Sequence, residues 1–298
     1  PTFNPDRSRL RAVIEAALGY APGGMEIRFV VVDNKSEPAV RAEEILVGNA
    51  VVDLIREPRP GTAFARIAGL RAVRRPWVLY LDDDNLVTED YFAAGFAFLS
   101  QNPTVGVVGG RILPHYESDP PKCLEGNEEL LALRDFDQDE WISGFDQKSP
   151  TYPDLTPLTA GLLFRREVVD QFLEWVDGSE GIISGRIGEE SLGASEDCEF
   201  LMQGVYLPGL QSGYCHRMTL KHIIPTPRME WPNLKRTAFE GGKAWGAFER
   251  KYDLRPRQPL VFALLRIAKH FFGMGAWKRR GRLKWLHYAG RTLAHAKY

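Results

Sequence analysis

The chain of 298 residues is long enough for one large domain or for one domain with an appendage. Hydrophobic residues make up 44% of it and charged residues 26%, which is typical of a chain with one buried core and excludes global disorder. The net charge of −1 hides an asymmetry, because residues 251–298 hold 12 Lys or Arg and one acid, whereas residues 1–250 hold 26 basic and 38 acidic side chains. The basic C-terminal segment therefore meets a negative partner or folds against the acidic remainder.

The first half of the chain alternates between strand and helix patterns. Short apolar, β-branched runs predict strands at 27–32, 50–55, 77–81 and 105–108. Helical patterns accompany them at 8–18, 37–46, 62–73 and 88–99. This alternation predicts βαβ units in an α/β fold with a mostly parallel central sheet flanked by helices, in which ligands bind beyond the carboxyl ends of the strands.

The second half is less regular. Residues 113–156 predict a long excursion with one helix near 128–134, followed by a strand at 158–164 and a helix at 167–176. The glycine-rich stretch 178–193 predicts a mobile loop that closes over a ligand. Two further helices are expected in a C-terminal helical extension, at 259–272 and 276–296. The expected division is a main domain, 1–250, with halves 1–110 and 111–250, and a basic extension, 251–298.

The cysteine content and the hydropathy pattern indicate the cellular compartment in which we expect the protein. The three cysteines have no CxxC spacing, so neither a disulfide framework nor a zinc knuckle is indicated, and a reducing environment is expected. No apolar run reaches the roughly 20 residues that span a bilayer. We expect a cytoplasmic protein, with the inner face of the cell membrane as a further expected location.

Three consecutive carboxylates, Asp82, Asp83 and Asp84, follow the predicted strand at 77–81. Like charges so close together repel and raise one another's pKa unless a cation lies among them. Magnesium or manganese would resolve that conflict and leave coordination sites for a diphosphate. The alternative is a solvated turn, because Asp and Asn favour turns.

Distinctive short segments occur in a fixed order along residues 1–250. They are Pro1-Thr2-Phe3-Asn4, Val32–Ser36, Gly61–Gly69 with Ala65-Arg66 inside it, Asp82-Asp83-Asp84, Leu158–Gly161 with Arg165-Arg166 after it, Glu196-Asp197, and His222. In this order they resemble the motifs of the family 2 glycosyltransferases. The resemblance implies a GT-A (Rossmann-like) fold that binds a nucleotide-sugar at the strand ends, with a nucleotide-binding half, 1–110, and an acceptor and catalytic half, 111–250.

The resemblance also implies roles for residues of the first half. The Pro-Thr-aromatic-Asn segment lies against the nucleotide, Asp33 contacts the base, and Asp82 lies near the ribose. Ile67 departs from the family pattern, because it replaces the Asn of an Ala-Arg-Asn triplet. The donor-binding residues implied in this way are Pro1, Thr2, Asn4, Asp33, Arg66, Asp82 and Asp83. Arg228 and Arg236 are further candidates for gripping the diphosphate, because Arg pairs well with phosphate oxygens.

Residues of the second half would complete the site by the same resemblance. In the Glu196-Asp197 pair the aspartate acts as the catalytic base, and His222 completes the metal site with Asp84. The Arg165-Arg166 pair would lie beside the donor sugar and the acceptor. Two alternatives stay open, because Glu196 and Asp197 also suit the dipole of a helix N-terminus and because His216 competes with His222 for the metal.

The implied activity is an inverting, metal-dependent glycosyl transfer using Mn2+ or Mg2+. A UDP-sugar is the favoured donor, and the acceptor is a hydroxyl of a glycan or of a lipid-linked acceptor in polysaccharide or glycoconjugate synthesis. Two alternatives of another class are a non-catalytic nucleotide-sugar or glycan-binding protein with the same fold, and a sugar nucleotidyltransferase. The latter usually opens with a Gly-rich phosphate loop that this sequence lacks.

The basic C-terminal extension mixes aromatic and cationic residues. Basic helices of this composition suit anionic lipid headgroups, so peripheral membrane contact is one prediction. The other is a helical pair packed on the acidic body, with Arg and Lys stems covering apolar surface. No nucleic acid partner is expected, because no nucleic-acid motif accompanies the charge. The family resemblance further predicts an apolar strand upstream of Pro1.

Overall fold

The computed structural model describes residues 1–179, 181, 195–256 and 258–297. Its strands are β1 (Arg28–Asp33), β2 (Val51–Arg56), β3 (Trp77–Tyr80), β4 (Asn85–Val87), β5 (Val105–Tyr116), β6 (Glu140–Ser143), β7 (Leu162–Arg165), β8 (Gln211–Ile224), β9 (Gln258–Pro259) and β10 (Ala296–Lys297). Its α-helices are α1 (Arg7–Gly19), α2 (Ala42–Ile45), α3 (Thr62–Ala72), α4 (Tyr91–Gln101), α5 (Arg166–Gly178), α6 (Glu196–Leu201), α7 (Trp231–Lys251), α8 (Leu260–Gly273) and α9 (Arg279–Ala294).

The strands form a mixed α/β architecture. β1 and β2 pair in parallel, and a second sheet has the order β3-β7-β5-β8-β4, with β6 also paired to β8. Within the second sheet only β5 and β8 run parallel, and the other pairings are antiparallel. The predicted α/β class with flanking helices and a C-terminal helical extension is confirmed. The sheet contains more antiparallel pairing than the sequence predicts, because β4, β6 and β7 do not belong to βαβ units.

The core forms where the apolar strands are covered on both faces. Val105, Val107 and Val108 of β5 are fully buried, as are Leu162 and Phe164 of β7. Helices α4 and α5 pack against these strands with their apolar faces. Burial on both faces explains why these strands are continuous apolar runs rather than alternating ones.

A cavity of about 410 Å³ separates β1 from β3. Apolar side chains of β1, β3, α1, α3 and α4 line most of it, and Pro1, Asp82 and Asp83 lie among its lining residues. One end of the cavity therefore adjoins the strand ends that the sequence singles out, and Glu26, Arg28 and Arg75 lie at its other end. The strand predicted upstream of Pro1 stays a prediction.

The C-terminal helices behave differently from each other. α9 packs tightly along α7, where Arg291 and His295 contact the buried carboxylate of Glu249. α8 packs on the outer side of α9. Among the described residues of α8, Ala263 is buried. The prediction of a helix packed on the body therefore applies to α9, whereas α8 leaves most of its surface open. Among the described residues, no helix is long and apolar enough to cross a membrane.

Close approach of α7 and α9 depends on glycine. A Cβ at Gly242 would lie 2.0 Å from the carbonyl oxygen of His287, whereas a Cβ at Gly241 would have its nearest neighbour, Nδ1 of His287, at 3.9 Å. The backbone of α9 therefore occupies the place of a side chain at Gly242.

We expect Gly242→Ala to lower the free energy of unfolding by about 3 kcal/mol, because α9 must move away from α7. Gly241→Ala is the matched control on the same helix turn. It should change stability by no more than about 1 kcal/mol, in the stabilising direction. Urea unfolding of both variants measures the difference, and equal effects would contradict the close helix contact.

Candidate active site

The N-terminal segment runs beside the carboxyl end of β1. The Thr2 amide donates to the carbonyl of Val32 at 2.9 Å, and the Asn34 amide donates to the carbonyl of Thr2 at 2.8 Å. This pairing brings the Thr2 hydroxyl to the carboxylate of Asp83, to which it donates a hydrogen bond. The segment and the aspartate triplet therefore share one edge of the fold, as expected from strand order.

Asp33 ends β1 and is almost fully buried, at 2% exposure. Its carboxylate accepts hydrogen bonds from the amides of Ser36 at 2.9 Å and Val40 at 3.2 Å, and from Nη1 of Arg56 at 2.8 Å. Asp33 therefore orders the loop that follows β1. Contact of Asp33 with a base stays a prediction, and its carboxylate already has three donors.

Asn4 belongs to the same loop. Its amide donates to Oγ of Ser36 at 2.8 Å, and its Oδ1 accepts from the amide of Glu37 at 2.8 Å. Asn4 adopts a positive φ of 46°, a conformation that Asn tolerates better than most residues. The segment around Asn4 is thus fixed to the loop after β1.

The three aspartates that follow β3 point to three different partners. Asp82 lies 3.4 Å from Nη2 of Arg66, and Asp83 accepts from the Thr2 hydroxyl. Asp84 contacts His222. The triplet is therefore divided among separate contacts, which a simple solvated turn would not require.

Asp83 is the aspartate whose environment most disfavours its charge. Burial, followed by the neighbouring charge of Asp84, raises the pKa of Asp83 to about 6, although the hydrogen bond from Thr2 opposes the rise. The folded state therefore binds more protons than the unfolded chain between about pH 4 and pH 6, and stability falls as the pH rises through that window.

We expect Asp83→Asn to raise the free energy of unfolding by about 1–2 kcal/mol at about pH 8 when metal is chelated, because the amide carries no charge to bury. At about pH 4.5 the gain should shrink to less than about half, since Asp83 is then protonated in the folded state while the unfolded chain is still largely ionised. Thermal unfolding at both pH values tests this, and Asp90→Asn, an exposed aspartate that begins α4, is the control. An equal gain at both pH values would contradict the raised pKa.

Strand pairing determines the position of Asp84. β4 pairs with β8 so that Asn85 lies opposite His222, and the Ile223 amide donates to the carbonyl of Asp84 at 2.8 Å. This register places Oδ2 of Asp84 3.2 Å from Nε2 of His222. The contact joins residues 138 positions apart in the chain.

Arg228 lies against both members of this pair. Its Nη1 is 2.9 Å from Nε2 of His222 and 3.3 Å from Oδ2 of Asp84. A guanidinium only donates hydrogen bonds, so Nε2 of His222 must present its lone pair toward Arg228 and Asp84. A carboxylate oxygen and a nitrogen lone pair therefore converge on the Arg228 guanidinium, which a cation bound by both would displace.

This arrangement fits a divalent cation. Adjacent ligands of an octahedral ion at about 2.1 Å lie about 3 Å apart, close to the 3.2 Å between the Asp84 oxygen and the His222 nitrogen. Within the described residues, no group of three or more His, Cys, Asp or Glu is placed to hold a metal ion. The described residues would therefore supply two ligands, Asp84 and His222. Two protein ligands are enough for a hard cation whose other coordination sites are filled by phosphate oxygens and water.

The competing histidine lies elsewhere. Nδ1 of His216 is 3.5 Å from the exposed carboxylate of Asp139, and His216 lies near the middle of β8, six residues before His222. The geometry therefore brings His222, and not His216, to Asp84.

Arg66 connects the two halves of the site from the middle of α3. Its side chain is 10% exposed, and it contacts Glu196 through Nη1 at 3.3 Å and Asp82 through Nη2 at 3.4 Å. Burial acts to lower the pKa of Arg66, but the charges of Asp82, Glu196 and Asp197 outweigh it, and the pKa lies above its ordinary value. Arg66 is thus a buried cation held among carboxylates.

Glu196 is the more buried member of the acidic pair at the start of α6. Its Oε1 accepts from the Thr62 hydroxyl at 2.9 Å, and its Oε2 has no hydrogen-bond partner in the described part of the chain. Burial, followed by the charge of Asp197, raises the pKa of Glu196, whereas Arg66 opposes the rise. Arg66 therefore offsets part of the cost of burying the Glu196 charge.

Asp197 is more open than Glu196, and its charge also acts on Arg66. Its Oδ2 accepts from the Thr159 hydroxyl at 3.2 Å. Thr159 precedes β7 by three residues, in the small-residue segment that the sequence singles out. An ionised carboxylate with one weak donor can accept a proton from a nearby hydroxyl.

Sequence reasoning missed one residue of this region. Arg134 is largely buried, its Nε has no hydrogen-bond partner within the described residues, and burial lowers its pKa while the charges of Cys198, Glu129 and Asp197 oppose this. Arg134 lies in the aperiodic stretch 113–156, where no pattern distinguishes it from a surface arginine.

The prediction for Arg165 and Arg166 is wrong. β7 pairs with β3 so that Arg165 lies opposite Trp77, at the end of β3 remote from Asp82. Arg165 donates to the carbonyls of Val105 and Leu99, and Arg166 to that of Val73, so both hold the far edge of the sheet together. The antiparallel direction of β7, which the sequence does not reveal, is the reason.

Two other expectations have different outcomes. Arg236 is exposed on α7, whereas Arg228 reaches Asp84, so the geometry favours Arg228 as the arginine of the site. The predicted closing loop at 178–193 lies mostly outside the described residues.

A family model and several solved structures are similar to this chain. The family model for glycosyl transferase family 2 matches residues 1–171. The structure of GalNAc-T7 with UDP, GalNAc and Mn2+ is 15% identical, with a TM-score of 0.52 over 86% of this chain and 50% of that one. The structure of S. aureus TarS 1-349 is 16% identical, with a TM-score of 0.49 over 80% of this chain and 63% of that one. The comparison with curated proteins finds no match.

The family model decides the family, and the likeness to the GalNAc-T7 structure supports the fold. The chain spans between half and two thirds of the length of the two solved structures. The family match covers more than half of this chain, including the segments around Asp33, Arg66 and the aspartate triplet. The chain therefore belongs to glycosyl transferase family 2 and has a GT-A fold.

Proposed function

We propose that this glycosyltransferase transfers a sugar from a UDP-sugar to a hydroxyl of a glycan or lipid-linked acceptor, with divalent metal and with inversion at the anomeric carbon. The observation that carries the proposal is the convergence of Asp84, His222 and Arg228 on one point, with Asp197 linked to the same site through Arg66. Polysaccharide or glycoconjugate synthesis is the corresponding role.

The donor would bind along the strand ends. Residues around Pro1, Thr2, Asn4 and Asp33 would form the nucleotide side, and Asp82 and Asp83 would adjoin the ribose. The presence of UDP, GalNAc and Mn2+ in the GalNAc-T7 structure supports a uridine diphosphate donor and manganese, with magnesium as the alternative. These contacts belong to residues 1–110, the proposed nucleotide-binding half.

Asp84 and His222 would hold the cation, because they present a carboxylate oxygen and a nitrogen lone pair 3.2 Å apart. When bound, a divalent cation would stabilise the negative charge of the departing diphosphate. Arg228 would add a second positive charge on that side, since its guanidinium pairs well with phosphate oxygens.

Asp197 would take the proton from the attacking hydroxyl. Inversion requires that this base lie across the sugar from the departing diphosphate, and Asp197 comes from α6, an element separate from the β4–β8 pair that carries Asp84 and His222. Glu196 would hold Arg66 in place between Asp82, on the donor side, and the start of α6, on the acceptor side. Residues 111–250 would thus supply the acceptor and catalytic half.

Titration calorimetry of UDP, GDP and their sugars, with and without manganese, tests the donor site. We expect one diphosphate to bind in a metal-dependent way and Asp84→Ala to weaken that binding at least about tenfold. Asp90→Ala, six residues away, exposed and paired with Arg217, is the matched control and should bind as the wild type does. Wild-type affinity in Asp84→Ala, or no nucleotide binding at all, would contradict the proposal.

A further inference from the structure

One face of α8 exposes large apolar side chains. Val261, Phe262 and Leu265 are 58%, 57% and 61% exposed, and Phe272 at the end of the helix is 71% exposed. Trp277, in the turn that follows, is 56% exposed. Helical spacing places these residues of α8 on one side, so the exposed area is continuous, and a continuous apolar area of this kind marks an interaction site. We call it the α8 face.

The opposite side of α8 is fixed to the protein. Nε1 of Trp285 in α9 donates to the carbonyl of Ile267 at 2.9 Å, and the Phe271 ring meets the Trp285 ring edge-on with centroids 5.3 Å apart. His270 and Tyr288 form a second ring contact at 4.5 Å. α8 is therefore held by α9 in an orientation that leaves the α8 face outward.

Positive charge borders the α8 face. Arg266 and Lys269 are exposed on its flank, and Lys278, Arg279 and Arg280 follow in the turn and at the start of α9. No Asp or Glu occurs between residue 254 and the end of the chain. A helix with an apolar face of Phe, Leu and Val and a cationic border is typical of helices that lie in the interface of an anionic membrane.

We propose that the α8 face docks the protein on an anionic lipid surface. A second copy of this chain fits less well, because a two-fold contact would bring Arg266 and Lys269 of each copy against the same cations of the other. Lipid headgroups of negative charge neutralise these cations, while the acyl region takes the apolar side chains.

The α8 face lies toward the catalytic end of the molecule. The guanidinium of Arg279 lies over the Trp231 ring at 5.3 Å, and Trp231 begins α7 only three residues after Arg228. The carbonyl of Arg280 accepts from Nδ2 of Asn127 at 3.3 Å, in the segment that follows β5. Trp277, two residues before Arg279, therefore lies on the side of the protein where α7 begins. On the proposed function, docking would bring the site to hydroxyls of lipid-linked acceptors.

Vesicle flotation of the full chain tests the docking. Vesicles of phosphatidylcholine alone are compared with vesicles that also contain phosphatidylglycerol. We expect binding to the anionic vesicles, weakened by salt, and little binding to the neutral ones. Phe262→Ser with Leu265→Ser should lower the affinity at least about tenfold, and Arg266→Gln with Lys269→Gln roughly twentyfold.

Leu46→Ser with Val51→Ser is the matched control, because these apolar residues are 51% and 50% exposed far from α8 in the sequence. It should bind vesicles as the wild type does. Equal binding of all variants, or equal binding to neutral vesicles, would overturn the proposal. Light scattering that shows a dimer in the wild type and a monomer in Phe262→Ser with Leu265→Ser would instead assign the face to a second copy.

Nucleotide titration separates this inference from the proposed function. All surface variants should keep the wild-type affinity for the diphosphate and the wild-type unfolding temperature, because the changed side chains are exposed. If the wild-type protein binds no diphosphate, the proposed donor site is contradicted. The vesicle experiment would still decide whether the α8 face binds lipid.

Discussion

Asp197→Asn is expected to lower the rate of glycosyl transfer by about 10²–10⁴-fold and to leave metal-dependent diphosphate binding close to the wild-type level. The asparagine keeps the shape of the side chain and can still accept from the Thr159 hydroxyl, but it cannot take a proton from the acceptor. Within the described residues, no hydrogen bond or ion pair joins Asp197 to the Asp84–His222 pair. The substitution should therefore leave the donor site intact.

The measurement pairs a turnover assay with the nucleotide titration on the same preparations. Asp139→Asn is the control, because its carboxylate is 93% exposed and pairs only weakly with His216. Its turnover should match the wild type. Near wild-type turnover in Asp197→Asn would remove Asp197 as the base and would direct attention to Glu196.

How far the sequence predicts this fold depends on how each strand is buried. β1, β2, β3 and β5 are mainly apolar runs and lie close to the predicted positions, and burial on both faces explains the clear pattern of β5 but not that of the half-exposed β2. β8 has no such run over most of its 14 residues, and β4 has only three residues. These two strands nevertheless pair to bring His222 to Asp84, so the metal pair depends on an element that periodicity does not reveal.

The candidate site shows the same limit. Motif order brings Thr2, Asp83, Arg66 and Glu196 into consideration. The structure joins Thr2 to Asp83, and it joins Arg66 to Glu196 and to Asp82, the neighbour of Asp83. Arg165 is misassigned because its strand runs antiparallel to β3, which reverses the end at which a residue lies. Sequence order identifies which residues matter, whereas strand direction decides which of them can meet.

Arg66→Met is expected to lower the free energy of unfolding by about 3–5 kcal/mol, because it leaves buried carboxylates without their cation. Glu196 is 6% exposed on its side chain and would lose its 3.3 Å contact with Nη1. Asp82, which is more exposed, would lose its 3.4 Å contact with Nη2 and contributes less to the penalty.

The penalty should depend on pH. The pKa of Glu196 is already raised by burial, and removal of Arg66 takes away the charge that opposes the rise. The folded variant would then bind a proton that the unfolded chain releases above the ordinary Glu value, so stability falls as the pH rises. We therefore expect a smaller loss at about pH 5 than at about pH 8.

Urea unfolding of Arg66→Met at both pH values, beside two further variants, checks the mechanism. Arg71→Met lies on the same helix, has a side chain 50% exposed and pairs with Asp177, so it should change stability by no more than about 0.5 kcal/mol. Adding Glu196→Gln to Arg66→Met should recover about 1–2 kcal/mol at about pH 8, because the amide needs no counter-charge. If the double variant were no more stable than Arg66→Met, packing of the guanidinium rather than its charge would hold α3 to α6.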